Sequence, residues 1–347
     1  MTLTEDGDDY AAALPEEFME RWVVGPSAVR DDAPLALEDD APEVSTEPVG
    51  QPYDLNHIVS DGCFLERAEI ETALALLKRK KNLILQGPPG TGKTWLAKRL
   101  GFALVGAKDP SRVMAVQFQP SLSYEDFVRG WRPDGTGGLK LADGAFLEAV
   151  ELANSDPNRP FVLVIEEINR GNPAQIFGEL LTLIETDKRV ESEALRLAYP
   201  RTLDERVHVP SNFYIVGTMN LADRSLALVD LALRRRFAFL SLAPALGAAW
   251  RKWCHGLGGP VELISEIEDR LKKLNVEIAS DRTLGGQYRV GHSFVTPPEA
   301  LREKASDEWQ RWYNEVIENE IAPLLAEYWY DNEEKWKAGV RSLRLHP

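Results

Sequence analysis

The chain has almost no cysteine, with two in 347 residues at positions 63 and 254. Cys63 and Cys254 lie far apart, without CxxC spacing or a neighbouring histidine cluster, so neither a disulfide framework nor a zinc site is expected and both read as packing residues. Long apolar runs are also lacking. Nothing approaches the roughly 18 consecutive apolar residues of a membrane-spanning helix, so no membrane contact is expected. The opening residues, 1–6, have no basic cluster followed by an apolar stretch, so neither a secretory signal nor a transit peptide is expected, and a cytoplasmic location is. Positive charge is scarce at the start: residues 1–60 hold 15 acidic against 2 basic side chains, a local net of 2 − 15 = −13 within a total of −15. Such a segment repels a phosphate backbone, so any contact with DNA is expected elsewhere.

What is present divides the chain into three parts. Residues 1–60 form an acidic tail, rich in Asp, Glu, Ala and Pro up to about residue 50, and expected to be largely disordered apart from a short helix at 14–23 carrying Phe18, Trp22 and Val23. From residue 61 to 245, short apolar runs alternate with longer helical segments, the pattern of an α/β domain with a parallel sheet covered by helices. Five strands are predicted, at 82–86, 113–118, 161–165, 213–216 and 237–242, with a hairpin at 194–199 and 206–209. From 246 to 347 the apolar positions take a helical period, as in Val261, Ile264, Ile267, Leu271 and Leu274, which predicts a helical lid. No internal repeat is visible.

The strongest motif is Gly87-Pro88-Pro89-Gly90-Thr91-Gly92-Lys93-Thr94, a GxxxxGK[ST] sequence between a strand-like run and a helical segment. Its glycines let the loop curl so that backbone N–H groups and the helix N-terminus face phosphates. Lys93 then neutralises the β and γ oxygens and Thr94 offers its hydroxyl to Mg²⁺. Gly87, Pro88, Gly90, Thr91, Gly92, Lys93 and Thr94 are therefore the nucleotide-binding candidates.

The apolar strand at 161–165 runs into Glu166-Glu167, resembling a Walker B motif at the edge where doubly wound sheets bind ligands. Adjacent strand-end residues point to opposite faces. Glu166 is assigned to the Mg²⁺ shell, through water, and Glu167 to orienting or deprotonating the attacking water. A third strand runs into Gly217-Thr218-Met219-Asn220, where the Asn220 amide offers both donor and acceptor to the water or the γ-phosphate, or else forms an Asx turn. Arg234-Arg235-Arg236 are costly to bury together without acceptors. An arginine finger reaching a neighbour's γ-phosphate would account for them, with Arg235 and Arg236 as candidates; the sequence does not say which of the three acts.

Together these residues resemble the McrB family, the AAA+ GTPase motors of modification-dependent restriction systems, from about Lys80 to Asp331. The resemblance rests further on Ser123-Tyr124-Glu125-Asp126-Phe127 with Arg132-Pro133, on Ile168-Asn169-Arg170-Gly171-Asn172 with Phe177-Gly178-Glu179-Leu180, and on Ala222-Asp223-Arg224-Ser225. It continues in Ala232-Leu233 before the arginines, Gly291-His292-Ser293-Phe294, and Pro323-Leu324-Leu325 with Glu327-Tyr328.

That resemblance implies an AAA+ P-loop core with a helical lid, and a ring, usually hexameric, with nucleotide sites between subunits. It implies GTP as substrate with Mg²⁺, ATP remaining open, and hydrolysis stimulated by an McrC-like nuclease subunit. Asn220 and Asp223 would belong to the loop that positions catalytic water, Asn169 and Arg170 to the site's surroundings or the subunit interface, and His292 to the lid segment near the nucleotide. Three features depart from the family: Glu166 stands where many relatives have Asp, Leu221 where Thr is common, and an acidic tail where a DNA-reading domain is frequent. DNA contact is then expected through partner subunits. An ATP-driven MoxR-like or dynein-related remodeller of a protein client, and a nucleotide-gated scaffold with little turnover, remain the alternatives.

Overall fold

The computed structural model describes residues 50–223 and 231–345. The tail up to residue 49, with the helix expected at 14–23, lies outside them, as do Arg224, Ser225 and the first part of the helical stretch expected before the arginines.

Five strands form one sheet: β1 (Asn82–Gly87), β2 (Val113–Gln117), β3 (Phe161–Glu166), β4 (Phe213–Asn220) and β5 (Ala238–Ser241). They lie in the order β2-β3-β4-β1-β5 and every pairing is parallel, as the alternating pattern predicted. Period-two alternation distributes the side chains. Ile84, Phe161, Leu163, Ile165, Phe213 and Ile215 join a cluster on one face with Phe118, Phe127, Phe146 and Phe177. Leu83, Leu85, Val162, Val164 and Val216 face the other way, onto Leu96, Leu100, Ile70 and Leu77 from two helices. A sheet covered on both faces leaves its ligand site to the strand ends. The register brings those ends level: Gly87 pairs with Asn220, and Gln117 with Glu166.

Past residue 246 the chain packs around a core of its own. The helix Val261–Ser280 buries Ile264, Ile267, Leu271, Leu274 and Ile278, at the spacing of one helix face. Val261, expected in that stripe, is 63% exposed because it opens the helix. Later, Ser306–Val316 continues through a π-helical turn at Ile317–Ile321 into Ala322–Tyr328. Pro323 sits in the first turn of that last segment, where its missing N–H and bulky ring disfavour an unbroken α-helix. Among the described residues, no helix is long and apolar enough to cross a membrane.

Two expectations give way. Residues 51–60, which composition grouped with the tail, are folded: Gln51–Pro52 pairs with Ala107–Lys108, and Asp54 caps the helix Leu55–Ser60. Averaged charge hid Tyr53 and Ile58, both buried. The hairpin expected at 194–209 reduces to one antiparallel bridge, Leu195 to Val207. The developed hairpin is instead Arg129–Pro133 with Leu139–Asp143, closed where Asp134 Oδ1 accepts from the N–H groups of Thr136 and Gly138. Its run Asp134-Gly135-Thr136-Gly137-Gly138 is turn chemistry that the apolar pattern overlooked.

Candidate functional site

The loop after β1 opens the helix Lys93–Val105. Gly90 and Gly92 take φ of +72° and +73°, a left-handed conformation that side chains disfavour, and this curls the backbone beneath the helix N-terminus. Thr91 Oγ1 donates to the Pro88 carbonyl at 2.9 Å, and Lys93 Nζ donates to the carbonyls of Pro88 at 2.7 Å and Gly87 at 3.1 Å. Burial lowers the Lys93 pKa to about 8, against the opposing pull of the Glu167 charge. Lys93 therefore keeps its proton at neutral pH, and Glu167 stands within electrostatic reach of it. Thr94 is half-buried on the first turn.

Glu166 ends β3, and its Oε1 lies 3.0 Å from Lys98 Nζ on the P-loop helix. Glu167 follows with φ of +54°, unusual for a residue with a side chain and costing about 1–3 kcal/mol. Its backbone N–H is tied to Thr218 Oγ1 at 3.1 Å. Its Oε2 is buried without a hydrogen-bond partner, and Arg170 Nε, at 3.8 Å, is near enough for charge attraction but too far for a hydrogen bond. A strained backbone that presents a buried, unsatisfied carboxylate oxygen is a feature typical of functional sites.

Asn220, level with Gly87, forms the Asx turn: its Oδ1 accepts from Ala222 N–H at 3.2 Å. Only its amide oxygen is used there. Asn169 Nδ2 donates to the Asn220 carbonyl at 3.2 Å, while Asn169 Oδ1 is buried without a partner. Asn220 and Asp223 line a cleft of about 520 Å³ with Pro89, Arg170, Glu327 and Tyr330.

The three arginines separate. Arg236 has 6% of its side chain exposed, donates to the Leu181 carbonyl and pairs with Glu185 Oε1 at 2.9 Å, so it is a strut inside the chain. The Arg236 head is thus engaged within its own chain. Arg235 is 70% exposed, with Glu185 3.6 Å away, and Arg234 is exposed.

His292 comes from the lid and lies over the P-loop. Its Nδ1 accepts from Ala245 N–H at 3.0 Å, so the neutral ring carries its proton on Nε2, on the side of Gly92. The backbone docks beside it: Gly291 N–H donates to Pro89 O at 3.0 Å, and Ser293 N–H to Gly90 O at 2.9 Å. Burial lowers the His292 pKa from 6.5 to about 4. The folded chain thus binds fewer protons than the unfolded one between those values. This contribution, about 3 kcal/mol, is complete above pH 6.5 and lost as pH falls toward 4. Denaturant titrations at pH 7 and pH 4.5 should show a smaller loss of stability for His292→Gln than for wild type; equal losses would exclude His292 as the source.

Residues that sequence reading missed join Thr91, Gly92 and His292 around a further pocket of about 200 Å³, mainly apolar. Its walls include Asp61, Phe64, Trp95, Trp253 and His292. Arg99 stacks 3.6 Å from the Trp95 ring and pairs with Asp61 Oδ2 at 3.3 Å. No motif marks Asp61, Phe64, Trp95, Arg99 or Trp253, which with His292 converge from four separate stretches of chain.

Several family-like motif residues act as braces. Tyr124 Oη donates to Glu179 Oε1 at 2.7 Å, Ala198 N–H donates to the same oxygen at 2.8 Å, and Tyr199 Oη reaches Glu125 at 2.9 Å. Arg129, at the base of the hairpin, pairs with Asp143 and Glu205.

Among the described residues, no group of three or more His, Cys, Asp or Glu side chains is placed to hold a metal. Thr94, on the first turn of the P-loop helix, and Glu166, at the end of β3, are the residues that would hold Mg²⁺, an ion usually held by one or two carboxylates together with substrate phosphates.

Comparison with known proteins agrees with this layout. The model described as AAA domain (dynein-related subfamily) matches residues 82–237, and that described as McrB, alpha-helical lid domain, matches residues 266–337. The type IV methyl-directed restriction enzyme EcoKMcrB subunit of Escherichia coli (strain K12) is 42% identical over 289 residues, 82% of this chain and 62% of that protein. The type II restriction enzyme BsuMI component YdiS of Bacillus subtilis (strain 168) is 28% identical over 199 residues, covering 46% of this chain and 56% of that protein. The chain thus spans less than two thirds of the length of either relative. With its parallel five-stranded core and its matched lid, the chain belongs to the McrB-like AAA+ proteins, a branch of the P-loop nucleoside triphosphatases.

Proposed function

We propose that this protein hydrolyses a nucleoside triphosphate, GTP by its resemblance to the McrB family, as the motor of a restriction system, with Glu167 as the base. The observation that carries this reading is the buried, unpartnered Glu167 Oε2, held on a strained backbone within electrostatic reach of Lys93.

The curled loop, with Gly87, Pro88, Gly90, Thr91 and Gly92, grips the phosphates through backbone N–H groups, and Lys93 exchanges its loop carbonyls for phosphate oxygens. Thr94 and Glu166 would hold Mg²⁺, which when bound offsets charge on the β and γ oxygens. Glu167 orients the attacking water and takes its proton. Asn220 steadies that water through the amide hydrogens that its turn leaves over, and Asp223 borders the same cleft. His292 donates from Nε2 toward the nucleotide, and the pocket of Phe64, Trp95 and Trp253 receives the base.

The subunits form a ring, hexameric by resemblance, in which exposed Arg235 serves a neighbour's site and an McrC-like nuclease stimulates turnover. DNA is engaged through partner subunits. The division between a core that begins near residue 51 and a lid from residue 246 that moves on it belongs to the same proposal.

Phosphate release under multiple turnover, with GTP and with ATP, in the presence and absence of such a nuclease, tests the reading. GTP turnover accelerated by the nuclease is expected. Lys93→Ala should weaken nucleotide binding about 10–100-fold, since charge-assisted hydrogen bonds contribute about 1.5–3 kcal/mol. Unweakened binding in that variant would remove the phosphate assignment. Faster turnover of ATP without a response to nuclease would favour a remodeller of a protein client, and binding without turnover a nucleotide-gated scaffold.

A further inference from the structure

Lys98 belongs to no recognised motif. It lies four residues after Thr94 on the helix Lys93–Val105, so the two side chains share a helix face one turn apart. From there its Nζ meets Glu166 Oε1 at 3.0 Å, with 43% of the lysine side chain and 24% of the glutamate side chain exposed. We infer that Lys98 is a positioning residue: it holds the Glu166 carboxylate in an ion pair that competes with a divalent cation, and so sets how strongly the site takes one. The inference rests on the proposed nucleotide site.

Two physical effects support it. Glutamate carries one more methylene than aspartate, so a glutamate at the end of β3 has an additional rotor and sweeps a wider arc. The ammonium group at 3.0 Å restrains that arm. The second effect is charge. Lys93, Lys98, Glu166 and Glu167 sum formally to zero around the loop, and removing Lys98 leaves −1. A carboxylate already paired with an ammonium also offers less attraction to a cation than an unpaired one.

The test is equilibrium binding of a fluorescent GTP analogue to the full chain during Mg²⁺ titration at constant ionic strength. Lys98→Met is expected to lower the Mg²⁺ concentration for half-maximal binding about 3–10-fold, through the loss of one neighbouring positive charge. Lys98→Arg should hold the wild-type value, and Glu166→Gln should raise it. In Glu166→Gln, adding Lys98→Met should shift the Mg²⁺ requirement less than it does in the wild-type background, because the charge is still lost but the pair is already broken. Lys98→Gln serves the same comparison if the Met variant does not fold.

An unchanged or raised Mg²⁺ requirement in Lys98→Met, or additive effects in the double variant, overturns the inference while leaving the nucleotide site standing. Wild-type protein that binds no nucleotide at any Mg²⁺ concentration overturns both.

Discussion

Glu167→Gln is expected to lower turnover by about 10²–10⁴-fold, the range for loss of a general base, while leaving nucleotide affinity at pH 7 within about twofold. The two side chains have the same shape, and the φ of +54° at this position is imposed by the end of β3 and the Thr218 tie, so the backbone has no reason to move. What changes is charge. The carboxylate helps keep the proton on Lys93, whose burial otherwise favours losing it. Gln should therefore move the Lys93 pKa below about 8. Phosphate binding needs the protonated lysine, so affinity in the variant should decline at a lower pH than in wild type. Single-turnover phosphate release and equilibrium binding between pH 7 and 9 measure both effects. Wild-type turnover would move the base to another group, and a wild-type pH profile would disconnect Glu167 from Lys93.

The parts of this molecule that were legible in the sequence are those whose signal is local. Strand β3 declares itself by an unbroken apolar run before two carboxylates, because a strand buried on both faces has no polar position to spare. The P-loop declares itself because curling a backbone around phosphate needs glycines at fixed offsets. The arginine run shows where locality fails. Three identical residues cannot be ranked by type, and their separation into a strut and two exposed heads comes from rotation of about 100° per residue around the helix Leu231–Arg236. That rotation carries Arg236 to Glu185 and Leu181, roughly fifty residues earlier. Asn220 is intermediate. Its place beside Gly87 followed from ending a strand, but whether its amide oxygen serves a turn depended on where the Ala222 N–H lies. Nothing local to Phe64, Trp95 or Trp253 says that they share a pocket, and nothing in Gly291 says that it rests on residues two hundred positions earlier.

That last contact makes Gly291→Val the variant expected to do most damage outside the catalytic carboxylates. The φ of −74° at Gly291 suits any residue, so the backbone conformation does not require glycine. The space does. A β-carbon there would stand 2.0 Å from the Gly90 carbonyl carbon and oxygen and 2.5 Å from Pro89 O, all of them backbone atoms that cannot swing aside. The lid segment must therefore lift, breaking the hydrogen bonds from Gly291 to Pro89 and from Ser293 to Gly90 and withdrawing His292 from Gly92. The lid keeps its own apolar core, so helical circular dichroism should persist while the docking is lost. Expected results are a stability loss of about 3 kcal/mol, at the upper end of ordinary overpacking, and nucleotide affinity reduced about 100-fold, equivalent to about 2.7 kcal/mol. Gly247→Ala is the matching control. Gly247 has an extended φ of −179°, and a β-carbon there meets nothing within 4 Å, so both measurements should stay near wild type. Gly291→Val with wild-type affinity and melting temperature would mean that the lid does not rest on the P-loop in solution, and His292 would lose its place at the nucleotide with it.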